Sequence, residues 1–90
     1  MPNEPDETDD PALLAFRQAF GQRLKDLRGR ANLTQSQLAE AAGMNRVFYV
    51  GVEGGRRNVS VDKVFALARA LRVDFRTLFD GLGPTFPPTP

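Results

Sequence analysis

The chain contains neither cysteine nor histidine, which removes thiol nucleophiles, imidazole bases, zinc sites and disulfide frameworks together. Its Asp and Glu residues include no two at a spacing that suggests a shared acid–base site. What does stand out is a set of guanidinium and amide groups around one apolar run. Asn45 and Arg46 precede VFYVGV, and Glu53, Arg56, Arg57 and Asn58 follow it around two glycines. Such groups bind anions by charge-assisted hydrogen bonds rather than react. The chain is therefore read as a non-enzyme that uses no metal, cofactor or small-molecule ligand.

The charge distribution points the same way. The formal net charge is +1, yet Glu4, Asp6, Glu7, Asp9 and Asp10 all fall within the first eleven residues. The remainder carries twelve basic against six acidic side chains, or +6. A basic body with an acidic arm is compatible with a polyanionic partner, although scattered Arg and Lys commonly form a solvated face. A hydrophobic content of 41% over 90 residues fits one small globular domain. A domain this size buries little surface, so oligomerisation is expected. No apolar run approaches the roughly 18 residues of a membrane span, and the acidic N-terminus is unlike a secretory leader. A cytoplasmic protein is expected.

Elements that would hold those groups can be read from caps and apolar spacing. Residues 1–11, MPNEPDETDDP, are polar and proline-punctuated and predict a disordered acidic arm. Asp10 is a candidate N-cap with Pro11 in the first turn, and Phe16, Phe20, Leu24, Leu27 and Ala31 form one stripe of a long first helix. Thr34 and Gln37 have capping-box spacing, which predicts a second helix from Gln35 to Ala42 ended by Gly43. Ser60, with Asp62 in the first turn, opens a further helix whose apolar positions are Val61, Val64, Phe65, Leu67, Ala68 and Leu71. Asp74 caps a short last helix carrying Phe75, Leu78 and Phe79. Residues 12–82 thus make the domain, and 83–90, GPTFPPTP, make a proline-rich tail.

The run VFYVGV has the β-branched and aromatic content of a strand. No other segment reads as a strand, however, and a solitary strand leaves its backbone groups unpaired. As a helix from Arg46 to Glu53, turning by roughly 100° per residue, it places Tyr49 and Val52 on one side and Phe48 at the border. Arg46, Val47, Val50 and Gly51 then face outward. Two short helices joined by a glycine turn cross steeply only if the first offers a small residue at the contact, and Ala39 is that residue. An ordinary helical hairpin would show the same pattern.

Taken together, FGQRLKDLR, LTQSQLAEAAGM, Glu53, Gly55, the RRNVS run and ALARALRVDFRTLF resemble the helix-turn-helix domain of phage repressors and restriction-modification controller proteins, the Xre or Cro/CI type. The likeness covers roughly residues 16 to 80. It implies an all-α, five-helix, lambda-repressor-like fold in which the second and third helices form the motif and the third enters the major groove of double-stranded DNA.

The resemblance also implies roles. Gln35 would hold a phosphate at the start of helix two, unless it is a solvent-facing residue of the capping turn. Asn45 would cap the recognition helix and reach phosphate, though capping alone would justify it. Arg46 stands where a guanidinium fork spans O6 and N7 of guanine, and Val47 can read only a thymine methyl. Phe48 would touch sugar or a base edge, or else pack at the core border. Val50 and Gly51 lie one turn on, where a missing side chain lets backbone approach backbone. Arg56, Arg57 and Asn58 would lie against the sugar-phosphate backbone, unless merely solvated. Arg28 and Glu53 match an ion pair that ties helix one to the recognition helix.

Phe75, Leu78, Phe79, Leu82 and Phe86 put more apolar surface at the C-terminal end than a small monomer should expose. Relatives of this type dimerise there, although Phe75 and Phe79 could instead close the monomer's own core. The resulting expectation is a sequence-specific transcriptional regulator that binds a palindromic operator as a homodimer. The alternative is a protein-binding module, an antitoxin or adaptor, that keeps the fold but holds a partner protein.

Overall fold

The computed structural model describes residues 8–82. Within them lie four α-helices, α1 (Pro11–Arg30), α2 (Gln35–Ala41), α3 (Arg46–Glu53) and α4 (Val61–Leu71), followed by a 3-10 helix (Phe75–Phe79). The expected acidic arm and proline-rich tail fall almost wholly outside the described residues.

Each helix begins at the cap that its sequence announces. The Asp10 carboxylate accepts from the amides of Ala12 and Leu13, with Pro11 in the first turn. Thr34 and Gln37 form the reciprocal capping box of α2. Asn45 accepts from the Phe48 amide, and Ser60 from the Lys63 amide. Between α2 and α3 the chain turns at Gly43, whose φ of +70° is a left-handed conformation that glycine adopts without Cβ strain. The run VFYVGV is helical throughout.

The helix count needs correction: four α-helices are present, and the expected fifth is a 3-10 turn. Asp74 caps it from one side and Asp80 bounds it from the other, leaving five residues. That is too few to develop an α-type ladder, and the chain closes on tighter bonds such as Thr77 N–H to the Asp74 carbonyl at 2.8 Å.

The core is one cluster centred on Leu24, Leu38, Tyr49, Val52, Leu67 and Leu78, each essentially inaccessible. Phe20 and Leu27 of α1 and Leu71 of α4 extend it. Ala39 is buried where α2 crosses α3, as the need for a small residue at that contact requires. Two apolar stripes run out of the core. Phe16 is left partly exposed on α1, and Val61 and Phe65 point outward from α4 at 83% and 58% exposure. On α4 the buried stripe is Leu67, Ala68 and Leu71, while Phe65 carries the guanidinium of Arg69 at 5.0 Å from its ring.

Candidate nucleic-acid interface

The angle between α1, α2 and α3 is set around one carboxylate. Glu53, at the end of α3, accepts from Arg28 Nε at 2.8 Å and Arg28 Nη2 at 3.0 Å. It also accepts from the Tyr49 hydroxyl at 2.6 Å and the Gln35 side-chain amide at 2.9 Å. Arg28 further donates to the Leu33 carbonyl at 3.0 Å, which ties the loop before α2 into the same knot. The Glu53 side chain is only 6% exposed. Burial alone would raise its pKa, but the bonds from Arg28, Tyr49 and Gln35 outweigh that and hold the carboxyl below its ordinary value. Tyr49 is pushed upward by burial and by its bond to Glu53, and Arg28 upward by its bond to Glu53. All three groups therefore keep their charge state near neutral pH, and the expected Arg28–Glu53 pair is a four-residue network.

A second close fit seats α1 on α3. Gly21 is buried in α1, and a Cβ there would run into the Glu53 backbone carbonyl. The two helix backbones approach to a distance that only glycine allows. From the middle of α1, Arg23 donates to the Thr77 carbonyl at 2.8 Å, and Phe79 stacks on Phe20 with ring centroids 5.2 Å apart.

Held this way, α3 presents its N-terminal turn to solvent. Asn45 and Arg46 are exposed, and Val47 is 73% exposed. Phe48 is half-buried against the core with the Lys63 ammonium 5.6 Å from its ring, and Val50 is also half-buried. Arg56, Arg57 and Asn58 are exposed in the loop after α3. That loop folds back on its own helix, since the amides of Arg56 and Arg57 both donate to the Gly51 carbonyl.

Two expected positions differ. Gly51 does not face outward: it is buried, and a Cβ built on it would lie 2.6 Å from Cγ of Arg57. The glycine makes room for the stem of that arginine, which packs over it. Leu78, expected at a dimer surface, has no accessible area because it is the part of the 3-10 helix that plugs the monomer core. Phe75 and Phe79 remain exposed beside it at 58% and 38%, and Leu82 is half-buried against the core.

Gln35 is drawn into the Glu53 network as well as standing at the start of α2. Two cations that sequence reasoning passed over, Lys63 and Arg17, lie beside the same surface. Lys63 covers Phe48, and Arg17 lines a hollow with Arg56. Neither carries a local sequence signal, because each is brought there by the packing of another helix. Tyr49 carried one: it stands four residues before Glu53, one turn away on the same face.

Comparison with known proteins agrees with this geometry. A family model described as a helix-turn-helix domain matches residues 19–80. The control protein C.BamHI of Bacillus amyloliquefaciens is 34% identical over 72% of this chain and 82% of its own length. The immunity repressor of Bacillus phage phi105 is 42% identical over 59% of this chain, which spans 37% of that repressor. Among solved structures, the restriction-modification controller protein C.AhdI from Aeromonas hydrophila superposes with a TM-score of 0.71 at 45% identity, covering 72% of this chain and 98% of that one. No helix among the described residues is long and apolar enough to cross a membrane.

Proposed function

The chain belongs to the helix-turn-helix domain family of DNA-binding transcriptional regulators, and from that membership we propose that it binds a palindromic operator as a homodimer. The observation that carries the reading is the α3 surface. A helix locked from behind by Glu53 offers an exposed Arg46 and Val47 at its first turn, with the basic loop 56–58 beside it.

On this reading Arg46 selects guanine by a bidentate contact and Val47 meets a thymine methyl. Arg56, Arg57 and Asn58, together with the free edge of Asn45 and the N-terminus of α2 at Gln35, engage phosphates and set the register. Phe48 and Val50 supply apolar contact at the rim. Gly51 is left out of the contact set, since the Arg57 stem covers it. Dimerisation draws on Phe75, Phe79 and Leu82, which the 3-10 helix and its exit leave wholly or partly exposed. Symmetric pairing would set the two α3 helices about 34 Å apart, one turn of duplex.

The test is duplex binding by Arg46→Ala and Arg56→Ala across a salt series. Arg46→Ala should lose about 1–3 kcal/mol on the selected operator and little on random sequence, whereas Arg56→Ala should weaken every duplex alike and reduce the salt slope by about 1. Equal loss on all sequences for Arg46→Ala would remove its reading role. Wild-type binding that ignores salt would overturn the DNA reading in favour of an apolar protein partner.

A further inference from the structure

The N-terminal arm begins beside the basic loop. Thr8 and Asp9, the first described residues, line one hollow of about 360 Å³ together with Leu14, Arg17, Gly55 and Arg56. The turn that brings them there is ordered: the Thr8 hydroxyl accepts from the Asp10 amide at 3.0 Å, and Asp10 in turn caps α1. Opposite, Gly55 at φ +79° packs directly on Gln18 of α1, where a Cβ would come within 2.9 Å of the Gln18 Cα. The Arg56 side chain folds back over Gly54, so that a Cβ on that glycine would strike its guanidinium, and it lines the hollow from the loop side. The hollow thus has a fixed floor, two guanidinium groups and one carboxylate at its rim.

The chain immediately upstream carries Glu7, Asp6 and Glu4. At about 3.5 Å per extended residue, even Glu4 lies within about 14 Å of Thr8 along the backbone. Tethering at that range gives an effective concentration on the order of millimolar or above, so individually weak ion pairs at Arg17 and Arg56 add up. We propose that this hollow is a binding site for an acidic peptide and that its occupant is the chain's own arm, which competes with DNA phosphates for Arg56 and its neighbours. The competition rests on the phosphate-contact reading of the loop; the docking does not.

The arm acts here as a built-in polyanion. Salt weakens its hold on the hollow as it weakens the hold of DNA, so the full chain should show a shallower salt dependence of duplex binding than a chain whose arm is neutral. The experiment uses the full-length triple variant Glu4→Gln, Asp6→Asn, Glu7→Gln, which leaves Asp9 and the Asp10 cap untouched.

Without DNA, amide NMR shifts of Gly54, Gly55 and Arg56 should differ between variant and wild type at low salt and converge at high salt. Unmoved loop amides would overturn the docking, whatever happens to DNA affinity. With random-sequence duplex, the variant should bind about fivefold tighter at low salt, with the advantage fading above roughly 0.5 M. Moved amides with unchanged duplex affinity would overturn the competition. Moved amides with no duplex binding by either protein would leave the docking established and sink the DNA reading instead.

Discussion

Replacing Glu53 by alanine should destabilise the motif from its centre. The substitution leaves the Arg28 guanidinium, 17% exposed, facing a space that no longer holds its counter-charge, and takes the acceptor from Tyr49 and Gln35. Removing one partner of a buried, hydrogen-bonded ion pair costs about 3–5 kcal/mol. Arg28 keeps its bond to the Leu33 carbonyl and some access to water, which argues for the lower end, about 3 kcal/mol. Small domains have only about 5–15 kcal/mol in all, and each kcal/mol moves Tm by about 4–8 °C at this size. The expected drop is therefore about 12–24 °C, measured by thermal melts followed by far-UV circular dichroism and checked by urea titration. Acid supplies a second reading of the same group. Because Glu53 binds its proton less readily folded than unfolded, its contribution is present above the unfolded carboxyl value of about 4.3 and is lost as pH falls through the lower folded value. Glu53→Gln should consequently flatten stability against pH below about 4.5. A loss under about 1 kcal/mol for Glu53→Ala, or an unchanged acid limb for Glu53→Gln, would refute the central role given to this carboxylate.

Gly21→Ala reverses an ordinary rule. In an open helix the change gains about 1 kcal/mol, but here the new methyl meets the Glu53 carbonyl, so destabilisation of about 1–3 kcal/mol should appear in urea unfolding; a stabilised variant would show that α1 and α3 are not closely seated. If the chain pairs through its C-terminal end as proposed, Phe75→Asp, at a side chain 58% exposed, should leave the melting of the monomer nearly unchanged while raising the dimer dissociation constant by at least tenfold in sedimentation equilibrium. An unaltered dimer would move the interface elsewhere, with the outward stripe of Val61 and Phe65 the next surface to try.

The parts of this fold that could be read in advance are those encoded within a few residues. Asn45 with Phe48, Thr34 with Gln37, Ser60 with Lys63 and the left-handed Gly43 are local devices, and each sits where its spacing says. What failed needed knowledge of a second segment. Helical period puts Gly51 on the outward side of α3, but the loop after the helix returns and lays Arg57 across it. The same period makes Val61 and Phe65 look like core, yet only one stripe of α4 finds partners. Leu78 and Phe75 were indistinguishable as apolar residues of a terminal segment, and only docking of the 3-10 helix against α1 and α4 separates plug from surface. The Arg28–Glu53 pair was visible through family likeness alone, because its members are twenty-five residues apart and nothing local joins them.

The Glu53 network also explains why α3 can be eight residues long and carry so few polar groups. A helix this short is marginal by itself, and its Val and aromatic residues are indifferent helix formers. Its position is imposed by Tyr49 and Val52 in the core, by Glu53 on Arg28 of α1 and Gln35 of α2, and by the returning loop on Gly51. The outward face is then released from any structural duty, and Arg46 and Val47 can be exchanged without disturbing what holds the helix. The buried side and its anchors are tightly constrained, whereas the first turn is free to vary. If α3 reads DNA, a new target sequence requires changes only at that turn, and Arg46→Gln or Val47→Thr should alter the preferred base while leaving Tm within about 2 °C of wild type. Operator selection from a random duplex pool would check the altered preference. A large stability loss from either exchange would mean that the first turn of α3 is not separable from its support.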